Sequence, residues 1–252
     1  MDLGLKGKVA IVTGAGSQIG FGKGIALTLA KEGCDIVTAD KDLEGAQKTA
    51  AEVKALGRKA IAVKVDVSKS ADVNDMVKKA LAEFGKVDIL VNNAGASMGT
   101  KPFMELTEAD WDADINTNFR GVLNCARAVL GHMLSRKSGK IINLSSCCAK
   151  TGGSVGIVYC AAKAAVMVFT KGLAADMAAS GINVNAIAPG PGNTGFALQA
   201  PPDFLEKVLE AVPLRRTTTP QDIGNMVAFL ASDASSDIVG QTFSVDGGMT
   251  MY

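Results

Sequence analysis

The feature of the sequence that most restricts the fold is a regular alternation of short apolar runs with longer helical patterns. The first pair consists of the run KVAIVT at Lys8–Thr13 and the helical pattern at Ile25–Glu32. A continuous apolar run of this length indicates a strand buried on both faces, as in parallel sheets. Because a helix that joins two parallel strands crosses over in a right-handed sense, repeated units of this kind build a sheet covered by helices on both faces.

The alternation continues along the whole chain. The predicted strands are Lys8–Thr13, Asp35–Asp40, Lys59–Val67, Val87–Asn93, Lys140–Ser146, Ile182–Ala188 and Gln241–Asp246. The predicted helices are Ile25–Glu32, Leu43–Leu56, Ser70–Phe84, Thr107–Arg136, Val158–Ala179, Asp203–Ala211 and Gln221–Ser232. No linker or repeat interrupts the pattern. The sequence therefore predicts one α/β domain over residues 1–252, a single-domain Rossmann-type doubly wound parallel sheet of about seven strands.

A glycine-rich turn follows the first predicted strand and opens the first helix. In open parallel sheets, ligands bind beyond the carboxyl ends of the strands, and glycines let the backbone approach a pyrophosphate closely. The free N–H groups and the dipole at the helix N-terminus favour the same anion. The turn predicts a dinucleotide site, and its candidate contacts are Gly14, Ser17, Gln18, Ile19 and Gly20.

Asp40 ends the second predicted strand, about 20 residues beyond the turn. A carboxylate at this point accepts hydrogen bonds from the adenosine ribose hydroxyls and repels a 2′-phosphate. Asp40 therefore favours NAD over NADP. Lys41 beside it is a cation that would attract the phosphate, so NADP stays an alternative.

Tyr159 and Lys163 stand four residues apart within the predicted helix Val158–Ala179. Side chains at this spacing lie on one face of a helix, one turn apart. A phenol with its ordinary pKa of about 10 is a weak base at neutral pH, but a nearby ammonium favours the phenolate. We therefore expect Lys163 to lower the pKa of Tyr159, and Tyr159 to act as a general acid or base.

Several short motifs occur in an order that is typical of one enzyme family. They are Thr13-Gly14, Asn92-Asn93-Ala94-Gly95, Ser146, Tyr159-x-x-x-Lys163 and Pro189-Gly190. With them, essentially the whole chain resembles the short-chain dehydrogenase/reductase (SDR) family. The resemblance implies a catalytic set that is matched here by Asn118, Ser146, Tyr159 and Lys163.

The resemblance also implies further cofactor contacts. Asp66 and Val67 are similar to the family's adenine-contacting pair, and Thr194 resembles the threonine that holds the nicotinamide carboxamide. The remaining implied contacts are Asn93, Ala94, Gly95, Tyr159, Lys163, Pro189 and Gly190. In one respect the chain departs from the family pattern, because Gln18 stands where the phosphate loop usually has a glycine. The residues from Gly20 onward then match the family's loop end two positions later.

The leading functional interpretation is an oxidoreductase that transfers a hydride between NAD(H) and a secondary alcohol or ketone of a small or medium metabolite. The alternative is a 3-oxoacyl-[acyl-carrier-protein] reductase that uses NADPH. Asp40 disfavours this alternative because it favours NAD over NADP. Ser180 also disfavours it, since it occupies a position where carrier-protein reductases often have arginine. Lys137 lies near a second basic position of those enzymes and therefore favours the carrier-protein reductase interpretation. A dinucleotide sensor without catalytic activity is the third interpretation.

The charge and the cysteines of the chain indicate which kinds of partner, cross-link and location to expect. The formal net charge is +1 and like charges do not cluster, which argues against nucleic acid and membrane partners. The five cysteines show no CxxC pair, so we expect neither a disulfide framework nor a metal site. Cys147 and Cys148 are expected to be packing residues, and Cys160 to point away from Tyr159. A cytoplasmic protein is the simplest interpretation.

Two larger features remain as expectations. The resemblance implies a homotetramer in which helices over Asn118–Arg136 and Tyr159–Ala179 pack across a two-fold axis. The segment Pro191–Pro213 follows the sixth strand and combines helix breakers with apolar residues such as Phe196. We expect this segment to form a lid over the substrate.

Overall fold

The computed structural model describes residues 2–97, 101–153, 156–192 and 204–251. Within these ranges, seven strands form one parallel sheet in the order β3-β2-β1-β4-β5-β6-β7. This is the doubly wound Rossmann arrangement, in which the chain reverses direction across the sheet between β1 and β4. The predicted fold class is confirmed.

The strand and helix bounds lie close to those predicted. The strands are β1 Val9–Thr13, β2 Asp35–Asp40, β3 Ala60–Lys64, β4 Ile89–Asn92, β5 Gly139–Leu144, β6 Ile182–Pro189 and β7 Thr242–Val245. The helices are α1 Phe21–Lys31, α2 Leu43–Ala55, α3 Ser70–Phe84, α4 Glu108–Ile115, α5 Gly121–Arg136, α6 Cys148–Thr151, α7 Ile157–Met177, α8 Phe204–Glu210 and α9 Pro220–Ala231. Short 3₁₀ turns cover Phe103–Glu105, Ala178–Ser180 and Asp233–Ser235.

Successive side chains along each strand enter opposite cores. Ala10 and Val12 of β1 face the core that contains α1 and α9, whereas Ile11 faces the core that contains α3, α5 and α7. All three residues are fully buried. The strands are apolar without interruption because both faces of the sheet are covered.

Two predicted strands end more than one residue earlier than expected. β3 ends at Lys64 rather than Val67, and β5 ends at Leu144 rather than Ser146. Asp66, Val67 and Ser146 consequently lie in the loops just beyond the sheet. These loops lie at the edge where a doubly wound sheet binds ligands.

The predicted long helix from Thr107 towards Arg136 is present as α4 and α5, but it contains a π-helical turn that the sequence did not predict. The helix starts as predicted, because Thr107 and Asp110 form a reciprocal capping box. A π-helical turn at Asn116–Arg120 then separates α4 from α5. Within this turn the Asn118 amide donates hydrogen bonds to the carbonyls of Asp114 (2.9 Å) and Ala96 (2.6 Å). Such turns occur frequently at functional sites.

α7 and the turn after it form the most apolar long helix of the described residues. The stretch Ile157–Ser180 is long and apolar enough to cross a membrane by length and composition alone, with a mean hydropathy of 1.5. Of its most apolar 18-residue window, 33% is buried within the chain. Val168 is 69% exposed on it.

α1 and α9 pack together through small residues. A Cβ on Gly224 of α9 would overlap Thr28 Oγ1 of α1. Thr28 Oγ1 is itself engaged, since it donates to the Gly24 carbonyl (2.8 Å) and accepts a bond from Gln221 (3.1 Å). The helices therefore approach too closely for any side chain at position 224.

We predict that Gly224→Ala lowers the free energy of unfolding by about 1–3 kcal/mol, because the added methyl group forces the two helices apart. The matched control is Gly131→Ala in α5, where no atom lies within 4 Å of an added Cβ. This control should be neutral or stabilise by up to about 1 kcal/mol, since alanine favours the helix. Urea unfolding measures both variants. If Gly224→Ala were as stable as wild type, α1 and α9 would be further apart than described.

Candidate active site

Thr13, the last residue of β1, ties the loop after β4 to the glycine-rich turn. Its Oγ1 accepts hydrogen bonds from the backbone N–H groups of Asn93 and Ala94, both at 3.0 Å. The Asn93 side chain returns a bond to the Thr13 carbonyl at 2.8 Å. The predicted contacts Asn93 and Ala94 are thereby held beside Gly14.

The glycine-rich turn forms a cradle of bare backbone. Gly14 has a φ of 69°, and a Cβ on it would lie 2.8 Å from Ala94 Cα. A Cβ on Gly22 would overlap the Gly14 carbonyl oxygen. α1 begins after Gly20 without a side-chain cap, so its first N–H groups remain available to an anion. Together with Asp40 at the end of β2, this cradle fits a dinucleotide.

The other loop residues divide into two groups. Ser17 and Ile19 are exposed at the mouth of the cradle, with Ile19 46% exposed. The Gln18 amide instead donates to the carbonyls of Gly16 (2.8 Å) and Gly45 (3.0 Å), and its oxygen accepts a bond from Lys23. Gln18 is exposed, yet its hydrogen bonds hold the loop against α2.

Asp40 is fixed at the mouth of the cradle. Its Oδ2 accepts the Gly16 N–H at 2.7 Å, and its Oδ1 accepts the Asp42 N–H at 3.0 Å. The neighbouring cation, Lys41, lies 3.3 Å from Asp66 Oδ1. Burial of Asp66 opposes its ionisation, but hydrogen bonds from Ser68 and Lys41 outweigh this effect and lower its pKa.

Val67 is buried, and its carbonyl accepts a bond from the Asn124 side chain at 2.9 Å. On the other side of the edge, the Pro189 carbonyl at the end of β6 accepts the Cys147 N–H at 2.9 Å. The Gly190 N–H donates to Val245 of β7 at 3.0 Å. Thr194 lies outside the described residues, so its predicted contact stays a prediction.

Lys163 is the centre of the second half of the site. Its side chain is 3% exposed, and its ammonium donates to the Leu144 carbonyl at 2.8 Å. It lies 5.7 Å from the centre of the Tyr159 ring. A Cβ on Gly95 would come within 3.2 Å of Lys163 Nζ and 2.9 Å of Asn118 Oδ1. Gly95, Asn118, Tyr159 and Lys163 therefore meet at one point beyond β4 and β5.

Tyr159 and Ser146 form the face of this cluster nearest the α6 turn. Burial raises the pKa of Tyr159 to about 12, against the opposing effect of a hydrogen bond with Ser146. Burial likewise lowers the pKa of Lys163 to about 8. The expectation that Lys163 would lower the pKa of Tyr159 is therefore wrong for this structure. Each buried group favours its neutral form because the ion would lose its hydration.

Sequence reasoning missed a buried polar chain beneath the site. Asn92 of β4 donates to Asn143 of β5 (2.8 Å), and Asn143 donates to Thr170 of α7 (2.9 Å). Ser145 adds a bond to the Lys163 carbonyl at 2.8 Å. The available signal was a polar residue inside an otherwise apolar strand, since buried polar groups of this kind need partners.

The prediction that the cysteines form no disulfide is also wrong. Cys148 and Cys160 are bonded, with their Cα atoms 5.4 Å apart. The cause is α6, a helix of four residues that the sequence did not predict. α6 brings Cys148 back onto the first turn of α7, where Cys160 follows Tyr159.

Comparison with known proteins identifies the family. The family model described as Enoyl-(Acyl carrier protein) reductase matches residues 14–250. A 3-oxoacyl-[acyl-carrier-protein] reductase FabG of Staphylococcus epidermidis is 41% identical over 97% of this chain and 99% of its own length. The chain belongs to the SDR family. It is therefore an oxidoreductase of the SDR type that binds a nicotinamide dinucleotide.

Two further proteins resemble this one to a similar degree. The BbsD subunit of the (2S)-[(R)-hydroxy(phenyl)methyl]succinyl-CoA dehydrogenase of Thauera aromatica is 38% identical over 99% of both chains. A solved 3-ketoacyl-(acyl-carrier-protein) reductase from Brucella melitensis, complexed with NADH, is 36% identical with a TM-score of 0.92. The match covers 98% of this chain and 100% of the other.

The burial of Lys163 in this SDR chain predicts a pH dependence of stability. The pKa of Lys163 is lower in the folded chain, at about 8, than the ordinary 10.5 of the unfolded chain. The charged form is therefore penalised in full below about pH 8, and the penalty disappears as the pH rises towards 10.5, a change of about 3 kcal/mol.

We predict that Lys163→Met has its most favourable effect on the free energy of unfolding at pH 7, and that this advantage over wild type shrinks towards pH 10. Urea unfolding across this range measures the difference. Lys171→Met, on an exposed position of the same helix, controls for the loss of a charge. A parallel pH dependence of the two variants would contradict the burial of the Lys163 ammonium.

Proposed function

We propose that this SDR enzyme reduces a 3-oxoacyl thioester to the 3-hydroxyacyl thioester, with NADH as the preferred cofactor. The observation that carries the reaction type is the cluster in which Tyr159 is hydrogen-bonded to Ser146 and lies beside the buried Lys163. The substrate class rests on the relatives, several of which are named as acting on acyl-carrier-protein or CoA thioesters. They favour this alternative over the small alcohol that the residues alone suggested.

In this proposal Tyr159 is the general acid. With a pKa of about 12 it holds its proton at neutral pH, which suits protonation of a carbonyl oxygen during reduction. Ser146 hydrogen-bonds the same oxygen and stabilises the charge that develops on it. A bound reduced nicotinamide supplies the hydride.

Lys163 and Asn118 assist Tyr159 in its role as general acid. The Lys163 ammonium, 5.7 Å from the centre of the phenol ring, stabilises the phenolate that remains after proton transfer. Asn118 accepts the Ala96 N–H at 3.2 Å and donates to the Ala96 carbonyl. Asn118 therefore positions the loop after β4 against Lys163, and we assign it a positioning role.

The cofactor preference rests on the end of β2. The Asp40 carboxylate is fixed by the Gly16 N–H and carries a charge that repels a 2′-phosphate. Lys41 is engaged with Asp66, so it does not offset this repulsion. These two contacts support NAD(H) over NADP(H).

Three further expectations stay predictions. The exposed apolar surface of α7, including Val168, supports a homotetramer in which a second copy covers this helix. Of the lid at 191–213, residues 193–203 with Phe196 lie outside the described residues. The cytoplasmic location is the third.

Lys137 stands beside Gly181, at the opposite end of β5 and β6 from Ser146, so within one chain it does not contact the site.

We predict that the wild-type enzyme oxidises NADH with acetoacetyl-CoA or an acetoacetyl carrier protein, and that its kcat/KM for these thioesters exceeds that for simple secondary ketones. Tyr159→Phe should lower kcat by about a hundredfold or more, because it removes the transferable proton, and leave NADH affinity near wild type. Tyr252→Phe, at the chain's only other tyrosine, is the control. The acid assignment would be lost if Tyr159→Phe kept more than about a tenth of wild-type activity.

We predict that Asp40→Ser lowers the ratio of NADH to NADPH efficiency by about tenfold or more, because two charge-assisted hydrogen bonds to the ribose and the repulsion of the phosphate are removed. Asp42→Ser is the matched control, since Asp42 is a neighbouring acid that caps α2 through the Gly45 N–H at 3.1 Å. Steady-state kinetics with both cofactors measures the ratio. Equal efficiencies in the wild type would refute the role of Asp40.

A further inference from the structure

We propose that Cys148 and Cys160 form a reversible thiol–disulfide site that controls the relative position of Ser146 and Tyr159. The two sulfurs are bonded, and a Cα separation of 5.4 Å lies within the range of natural disulfides. Cys148 stands two residues after Ser146, and Cys160 directly follows Tyr159. The bridge thus joins the two segments whose side chains make the proposed proton-transfer pair.

A closed ring of interactions connects the bridge to the site. The Cys148 N–H donates to Ser146 Oγ at 3.3 Å, and Ser146 is hydrogen-bonded to Tyr159. Tyr159 is covalently linked to Cys160 by the α7 backbone, and the disulfide links Cys160 to Cys148, which closes the ring. The disulfide is the covalent link in this ring, so opening it leaves noncovalent contacts to hold the α6 turn against α7.

The segment that connects α6 to α7 is rich in glycine. It contains Gly152, Gly153 and Gly156, and an added Cβ at Gly152 would meet nothing within 4 Å. Glycine-containing connections have many accessible backbone conformations. A bridge across the 12-residue separation removes most of these conformations, so the oxidised chain holds Ser146 and Tyr159 in one arrangement.

The exchange requires a small disulfide as oxidant, such as oxidised glutathione. The Cys148 thiol is half-buried, whereas Cys160 is 6% exposed, so Cys148 reacts first. Its thiolate attacks the glutathione disulfide and releases one glutathione thiol. The Cys160 thiolate, its proton lost to solvent, then attacks the Cys148 sulfur and releases the second glutathione. Two protein thiols are oxidised to one disulfide while one glutathione disulfide is reduced to two thiols.

Cys147 lies next to this pair and is not part of it. Its N–H is held by the Pro189 carbonyl, and burial raises the pKa of its thiol, which lowers the fraction of reactive thiolate. Cys34 and Cys125 are buried in the cores. Selective oxidation is therefore expected at Cys148 and Cys160.

The test equilibrates the full-length enzyme in glutathione buffers from fully reducing to fully oxidising. Alkylation of free thiols and peptide mapping by mass spectrometry should show one two-electron transition, assigned to Cys148 and Cys160. Amides 148–153 should exchange more slowly in the oxidised form. Alkylation of both thiols in every buffer would overturn the site.

Activity is compared in the same buffers with whichever carbonyl compound in a panel of thioesters and ketones is turned over fastest. Failure of the thioester assignment therefore leaves this comparison intact. Reduction should lower kcat/KM by about tenfold, as small misplacements of reacting groups do. Cys148→Ala should show the reduced-state activity in every buffer, and Cys160→Ala should match it.

Cys34→Ala, at a buried free cysteine before β2 and at the opposite end of the sheet from the site, is the control and should keep both the wild-type transition and its effect on activity. Cys148→Ala keeps the test decisive if the buried Cys160→Ala variant fails to fold, because Cys148 is only half-buried. Equal activity of the oxidised and reduced wild-type enzyme would show that the disulfide does not control the site.

Discussion

The burial of the Lys163 ammonium is the constraint on which the rest of the site depends. An ion that is 3% exposed needs compensating groups, and the Leu144 carbonyl at the end of β5 provides one. The same position requires that Gly95 carry no side chain, because any Cβ there would crowd Lys163 and Asn118. The ends of β4 and β5, the π-helical turn and α7 consequently meet around a single cation.

The parallel sheet explains why these groups collect at one edge. Both faces of the strands are covered by helices, so polar side chains within the strands must pair with one another or lie beyond the strand ends. Asn92 and Asn143 are direct partners in the register of β4 and β5, and they bond to each other. Thr13 fixes the loop after β4 to the glycine-rich turn by accepting two backbone N–H groups. The cofactor cradle and the proposed catalytic cluster are therefore joined by hydrogen bonds along one edge of the sheet.

The motifs of this chain determine the reaction type but not the substrate. The motifs establish an SDR oxidoreductase because they describe the hydride and proton transfer common to the family. Asp40 and Ser180 favoured a small alcohol as substrate, whereas relatives up to 41% identical over nearly the whole chain favour an acyl thioester. The substrate is selected by the shape of the surface around the site of proton transfer. Asp40 and Ser180 alone do not determine that shape.

Local pattern and chain order determined the α/β alternation, the parallel sheet, the glycine cradle after β1 and the one-turn spacing of Tyr159 and Lys163, because each depends on periodicity or on neighbours in the sequence. The boundaries of most elements follow from the same signals, and Ser70–Phe84 was predicted to the residue. Tertiary structure alone decided the π-helical turn at Asn118, the bridge between Cys148 and Cys160, and the direction of the Tyr159 pKa. These three depend on burial and on contacts between segments distant in sequence or joined by an unpredicted turn, and desolvation at Tyr159 outweighs the nearby charge that the sequence alone makes visible.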